Sequence, residues 1–440
     1  MSTSASIGVV GGGQLAWMLA REARQLGLNC HVLTEDPSDP AAGLATSVVL
    51  GGPNDGDAVR ALARRGGAIT FEHEWLSLDP YQQLEREGIC FLPSLAALTP
   101  LLGKRRQRQL LNELHLPTPR WAPMEAALPP PPRLAADEDG DPYRTAANAP
   151  SPGAGDPPSA LDQPEPRGPS LPEGLVFPVM AKASHGGYDG KGTRVLADQA
   201  ALERHLAHHQ PEEWLLEELV AFEMELAQVV SRDRQGQVRC FPLVQTHQRD
   251  HVCDWVLYPA PVSHAVEAYA RNVVMSLVTA LNYVGVMAIE FFFGPQGLLV
   301  NEVAPRVHNS GHLTLEACRT SQFAQQARIV AGLPMGSTDP LVKGALMVNL
   351  LGYAPTESAE AQSDYRDARA ALQALEGACL HWYGKRPRPG RKLGHVTFLL
   401  EAEGTAQRES ESLSRLEAVR RLWPWAAPSR PTDESAIGLS

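Results

Sequence analysis

Four glycines, two lysines, a tyrosine and an aspartate fall within Lys182–Gly192, at the end of the apolar run Pro178–Ala181. Glycines let backbone N–H groups approach a phosphate closely, and lysines neutralise its charge. The spacing predicts a strand that ends in a phosphate loop, with Lys182 reaching in from the strand end. Asp189 has the chemistry to accept from a substrate amine or hydroxyl. A decorated hairpin with surface lysines is the plainer alternative. A second group sharpens the reading. In Val284–Glu302 two apolar runs flank the turn Gly294-Pro-Gln-Gly297, and folding about it brings Glu290 and Glu302 roughly opposite each other. Adjacent carboxylates repel unless a cation sits between them, and oxygen-only donors suit Mg²⁺, or Mn²⁺, bridging nucleotide phosphates. A register slip of one residue splits the pair across two faces, leaving one as a solvated edge residue.

Other segments add to this. Glu217-Glu218-Leu219-Val220 follows the apolar Trp214–Leu216. Backbone groups there can read an adenine edge, and Glu225 can accept from a ribose, although acidic residues usually sit on solvated faces. Arg306, His308, Asn309, Ser310 and His312 crowd around Gly311, too polar for a core, with Arg306 shaped to grip an anion. Lys385, Arg386, Arg388, Arg391 and Lys392 form a short basic cluster fixed by prolines and a glycine; a small phosphate fits it better than nucleic acid. Gly11-Gly-Gly-Gln-Leu-Ala16 satisfies G-x-G-x-x-A, with Glu35 and Asp36 about 20 residues on, near the dinucleotide spacing. A helix N-terminus favours any anion, so NAD and another phosphate both stay open.

These residues need elements to hold them. Strands at Ile7–Val10, Asn29–Leu33, Ser47–Leu50, Ala68–Phe71 and Ile89–Leu92 alternate with helical stretches, which predicts an open parallel sheet. Trp121–Pro123 and Leu175–Lys182 read as strands of a small central domain. Leu226–Val230, Val238–Val244 and Trp255–Val262 are β-rich, and helices are predicted at Glu267–Leu281 and Ser321–Val330. The expected domains are 1–100, 101–220 and 221–428, with a frayed tail at 429–440. Leu128–Gly174 holds 13 of the 37 prolines and few large apolar residues, which predicts a disordered or polyproline insertion. At 440 residues and 43% hydrophobic the chain has material for two or three cores, and a net charge of −11 argues against nucleic acid. Its six cysteines show no paired framework and read as reduced thiols of a cytoplasmic protein. Neither a basic leader nor an apolar run near 18 residues is present, so no membrane span is expected.

Four motifs together carry a resemblance: Gly11–Leu15, Gly186–Gly192, Asn301–His312, and His381–Gly384 with Gly390–His395. On these the chain resembles the 5-(carboxyamino)imidazole ribonucleotide synthases, ATP-grasp ligases of purine synthesis. The resemblance implies an α/β ATP-grasp architecture: an N-terminal Rossmann-like preATP-grasp domain, a small central α+β domain and a larger C-terminal domain with the metal carboxylates. It implies that ATP and bicarbonate carboxylate 5-aminoimidazole ribonucleotide through carboxyphosphate, or CO₂ released from it. Lys104 and Lys182 would hold ATP phosphates, with Gly187, Tyr188, Asp189, Gly190, Lys191, Gly192 and Thr193 as a lid. Glu217, Glu218, Leu219 and Val220 would frame adenine, Glu225 the ribose, and His247, Asn301 and Glu302 would lie on the ATP side. Glu290 and Glu302 would ligate magnesium. Tyr188, Asp189, Lys191, Arg306 and His308 would be catalytic. Gly13, Gln14, Leu15, Glu74, Asn309, Ser310, Lys385, Arg391 and Lys392 would bind the ribonucleotide and bicarbonate. A homodimer is implied, as is a mutase that consumes the carbamate product.

Several positions depart from that pattern. Lys104 stands where an arginine after an aspartate is common, and Gly103 replaces that aspartate. Arg108 replaces a lysine, Leu313 a tryptophan, and His247 stands one residue from the expected histidine. The insertion is not a family feature. The alternatives are another ATP-grasp carboxylase or formyltransferase, an NAD-dependent oxidoreductase built on Gly11–Ala16, or a regulatory homologue without activity, which Lys182, Glu290 and Glu302 argue against.

Overall fold

A computed structural model describes residues 5–74, 76–129, 168–186 and 192–425. The expectations for the lid residues Gly187–Lys191, for most of the insertion (130–167) and for the tail beyond 425 lie outside the described residues. The chain forms two compact units. The larger comprises Met1–Pro119, Ser184–Gly192 and Val220–Ser440, and the smaller comprises Arg120–Ala183 and Thr193–Leu219.

In the large unit, Ser47–Leu50, Asn29–Thr34, Ser6–Val10 and Ala68–Phe71 lie side by side in that order, all parallel. Helices Gln14–Gln25 and Gly56–Ala63 and the short turn Pro40–Gly43 connect them, and helix Leu78–Arg86 follows the last strand. Strands covered on both faces must be apolar throughout, and Ile7, Val9, Val10, Val32 and Ile69 are fully buried. The fifth predicted strand, Ile89–Leu92, reduces to a single bridge between Phe91 and Ile69, because Pro93 has no N–H to extend a ladder. Gln14–Gln25 packs on Gln322–Val330, so one core joins this sheet to the next through Met18, Leu19, Phe323 and Ala327.

That next sheet has nine antiparallel strands among the described residues, eight in one row and the ninth, Val238–Cys240, paired beside Met224–Arg232. Gly297–Ala304 is its outermost strand, followed by Gly285–Gly294, Met224–Arg232, Val244–Arg249, Val252–Tyr258, Gly344–Leu351, Lys392–Leu400 and Ala378–Trp382. Period-two alternation divides its faces. Leu226, Val230, Ile289 and Phe291 face helix His264–Ala280, and Leu346, Val348 and Phe398 face helix Thr405–Leu422. Each such side chain, fully buried, contributes about 1.5–3 kcal/mol. The opposite face carries the polar residues described below.

The small unit is a four-stranded antiparallel sheet, ordered Trp121–Pro123, Trp214–Glu218, Val179–Ala183, Thr193–Leu196, with helix Gln199–His208. Asp198 caps that helix by accepting from Ala201 N–H at 2.8 Å. Met124, Val179, Leu202, Trp214 and Leu216 form its core.

Candidate active site

The turn at Gly294–Gly297 pairs Phe293 with Leu298 and Phe291 with Val300. Continued without a break, that register would set Glu290 against Asn301. The ladder instead shifts at Glu290/Phe291, Asn301 becomes the extra residue of a β-bulge, and Glu290 faces Glu302. Glu225 on the neighbouring strand opposes Phe292, which places it on the face that carries Glu290. Crowding shows in the acidities. Burial, then the charge of Glu290, lifts Glu225 to about 8. Burial, then Glu302, lifts Glu290 to about 7, although Lys104, Lys392 and Arg306 pull the other way. All donors here are carboxylate oxygens, and a divalent cation would relieve the repulsion, so the residues present fit magnesium.

Around this pair sit the cations. Lys104, first residue of helix Lys104–Glu113, places Nζ 2.7 Å from Glu302 Oε2. Its expected phosphate role therefore begins from an ion pair with the Glu302 carboxylate. Arg306 grips Glu74 with two guanidinium nitrogens, the second contact being 3.2 Å. Burial alone would raise the Glu74 carboxyl; Arg306 overrides it and holds it below the ordinary range. Glu74, expected at the substrate amine, is thus charged and bound to Arg306. His308 Nε2 lies 3.6 Å from Glu290 Oε1, and its Nδ1 meets Ser310 Oγ at 2.9 Å. Burial, then Arg306 and Lys392, pushes His308 down to about 3, so the ring is neutral near pH 7. Asn309 and Asn349 exchange amide hydrogen bonds of 3.0 and 2.8 Å in a buried pair. Asn309 and Ser310, expected to touch substrate, also hold the loop that presents His308.

The basic cluster meets the first glycine loop. Lys385 Nζ donates to Gln14 Oε1 and lies 5.7 Å over the Tyr383 ring. Burial, then Arg391, lowers Lys385 to about 8. Burial and Arg388 likewise lower Arg391. Positive charge concentrated in this way suits a small phosphate. Gly13 and Leu15 are bound elsewhere. Their N–H groups donate to Glu72 at 2.6 and 3.0 Å, so a carboxylate occupies the helix N-terminus that a dinucleotide pyrophosphate would need. A Cβ on Gly13 would stand 2.5 Å from Glu72 Oε1, so the glycine admits that carboxylate rather than a nucleotide. This removes the basis of the NAD alternative.

In the small unit Lys182 Nζ pairs with Glu217 Oε2 at 2.6 Å, and both are buried. The Glu218 carboxylate accepts Arg120 N–H at 2.9 Å. Both side chains expected to frame adenine are therefore committed within the unit, Glu217 to the lysine. Leu219 is exposed. Gly192 has φ +76°, a conformation that favours glycine, and Thr193 starts a strand. His247 is expected on the ATP side. Thr246 opposes Glu225, so His247 points to the other face, where it stacks on Trp255 at 4.9 Å and lies 3.9 Å from Asp254.

Residues without a sequence signal also contribute. Glu72 and Asn349 carry no motif. His312, His395 and His381 stack in succession at 5.1 and 4.6 Å behind the His308 loop, a contact between distant segments that spacing does not reveal.

Three family models match the chain: Ribonucleotide synthetase preATP-grasp domain at residues 4–100, ATP-grasp domain at 163–323, and Phosphoribosylaminoimidazole carboxylase C-terminal domain at 345–409. An N5-carboxyaminoimidazole ribonucleotide synthase of Synechococcus elongatus is 42% identical over 419 residues, covering 95% of each chain. Its counterpart in Bacillus subtilis is 32% identical over 401 residues, 91% of this chain and 92% of that one. The crystal structure of N5-carboxyaminoimidazole ribonucleotide synthetase from Thermus thermophilus matches with TM-score 0.74 and 32% identity, covering 95% of this chain and 99% of that one. An Aspergillus clavatus enzyme in complex with ADP and 5-aminoimidazole ribonucleotide matches with TM-score 0.76 and 26% identity, over 96% of this chain and 100% of that one.

Proposed function

The chain belongs to the N5-carboxyaminoimidazole ribonucleotide synthase family, and from that premise we propose how its residues divide the work. The chain is an ATP-grasp ligase of purine biosynthesis that carboxylates 5-aminoimidazole ribonucleotide, with ATP, to N5-carboxyaminoimidazole ribonucleotide. The observation that carries the assignment of roles is the bulge-aligned pair Glu290–Glu302, with Lys104, His308 and Arg306 around it.

Glu290 and Glu302 would hold Mg²⁺, which would supply neutralisation of charge on the transferring phosphoryl group. Lys104 and Lys182 bind ATP phosphates, exchanging their ion pairs with Glu302 and Glu217 for the nucleotide. The backbone of Glu217–Val220 reads adenine, Glu225 holds the ribose, and Gly187–Thr193 covers the nucleotide. A bicarbonate oxygen attacks the γ-phosphorus as its bond to ADP breaks, giving carboxyphosphate. Arg306 and neutral His308 orient that anion by donating hydrogen bonds. The exocyclic amine attacks the carbon, phosphate leaves, and Asp189 takes the amine proton. Tyr188 and Lys191 serve the ribonucleotide and bicarbonate. Lys385, Arg391 and Lys392 bind the ribonucleotide phosphate, with Gln14 orienting Lys385.

The assay is ADP release measured with each component withheld. Turnover should require Mg²⁺, bicarbonate and 5-aminoimidazole ribonucleotide together. ADP release at full rate without the ribonucleotide would contradict the assignment. The cytoplasm is the proposed compartment, since the buried thiols Cys30 and Cys318 suit a reducing one. The homodimer and the hand-over of carbamate to a mutase rest on the resemblance. Sedimentation tests the first and a coupled assay with the mutase the second.

A further inference from the structure

The strand bearing Glu302 is the outermost of its sheet, so its outward backbone groups have no strand to pair with. Helix Lys104–Glu113 takes them. Gln107 Nε2 donates to Val303 O at 2.9 Å and to Leu101 O at 2.8 Å, while its Oε1 accepts Val303 N–H at 3.1 Å. One buried amide thus replaces a whole rung of the ladder. Arg108 donates to Asn301 O at 2.7 Å, and Pro117 O accepts Val300 N–H at 2.8 Å. Glu302 lies between the two residues held, Asn301 and Val303, directly after the bulge. Its repulsion from Glu290 works to part an edge strand, and the side-chain rung opposes that.

We infer that Gln107 is a positioning residue that keeps Glu302 opposite Glu290 and so preorganises the cation site. The inference rests on the reading of those glutamates as metal ligands. A group that fixes a ligand's backbone moves metal affinity, whereas one that only supports the fold does not.

Mn²⁺ is the probe, with binding to the protein saturated by a nonhydrolysable ATP analogue followed by electron paramagnetic resonance. Gln107→Met keeps the length of the side chain and removes its amide. The Mn²⁺ Kd should rise about tenfold, the scale of one or two lost hydrogen bonds. Half-saturating Mg²⁺ for ADP release should rise in parallel, with kcat recovering at high Mg²⁺ and KM for the ribonucleotide unchanged. If that variant lacks the native circular dichroism spectrum, Gln107→Asn, one methylene too short to span the gap, should show the same shift. Glu302→Gln separates the two readings. Weakened Mn²⁺ binding in Glu302→Gln beside unchanged binding in the folded Gln107 variants overturns the role of Gln107 alone. Unchanged binding in both overturns the metal reading as well.

Discussion

Glu290 and Glu302 face each other because Asn301 is one residue too many in its strand. The hairpin turn by itself would have paired Glu290 with an amide. The bulge converts a mixed pair into two carboxylates on one face, costing local ladder regularity and setting up a repulsion that a cation would relieve.

Glu302→Gln should lower turnover about a hundredfold or more while the fold persists, because the charge that a metal carboxylate contributes at the transferring phosphoryl group amounts to roughly several kcal/mol. Steady-state ADP release at saturating Mg²⁺ is the measurement. Near-normal activity would remove the pair from the metal site.

Stability of the ligand-free chain should fall between pH 6.5 and pH 8. Glu290 at about 7 and Glu225 at about 8 both have an ordinary value of 4.5, so in this window the folded chain keeps protons that the unfolded chain has lost. Their neutral-form advantage is complete below the unfolded value and is lost as pH rises through the folded ones. The total is on the order of 2 kcal/mol over the window. His308, lowered to about 3, and the buried histidines His205, His312 and His395, lowered too, act oppositely around their unfolded 6.5, and Lys385, lowered to about 8, acts oppositely from the top of the window, so comparison with Glu290→Gln isolates the carboxyl's share. Thermal unfolding should give a lower Tm at pH 8 than at pH 6.5, and Glu290→Gln should flatten the slope. A flat or rising Tm in the parent protein would mean these carboxyls are ordinary.

Lys385→Met should raise KM for 5-aminoimidazole ribonucleotide by about 10- to 100-fold, the scale of one charge-assisted hydrogen bond, with KM for ATP unchanged. Equal losses toward both substrates would place Lys385 outside the ribonucleotide phosphate subsite.

Replacing residues 130–167 with a short glycine-serine link should leave activity and Tm nearly unchanged. Ser170 N–H donates to Ala127 O at 2.9 Å, so the two flanks already meet, and a link need close only a small gap. Loss of activity, or a Tm drop of more than a few degrees, would show that the segment serves the site.

How much was readable from sequence follows from the range of the forces involved. The glycine loops, the carboxylate hairpin and the polar turn at Arg306–Ser310 are local, and their spacing points to phosphate and metal chemistry. What spacing missed depends on contacts between distant segments. Glu72 fills the helix N-terminus at Gly13 and turns an apparent dinucleotide loop into a carboxylate seat. Asn309 looks like a ligand until Asn349 is seen to occupy its amide. His247 looks placed for ATP, yet strand alternation sends it to the other face. The bulge itself was invisible because sequence gives the turn and not the irregularity beyond it.

The most direct test follows one oxygen atom. With bicarbonate labelled in all oxygens by ¹⁸O, single-turnover reaction with ATP, Mg²⁺ and 5-aminoimidazole ribonucleotide should yield inorganic phosphate carrying one ¹⁸O, since the attacking bicarbonate oxygen stays on phosphorus when the amine takes the carbon. Phosphate free of label, formed alongside carboxylated product, would contradict activation of bicarbonate by phosphoryl transfer.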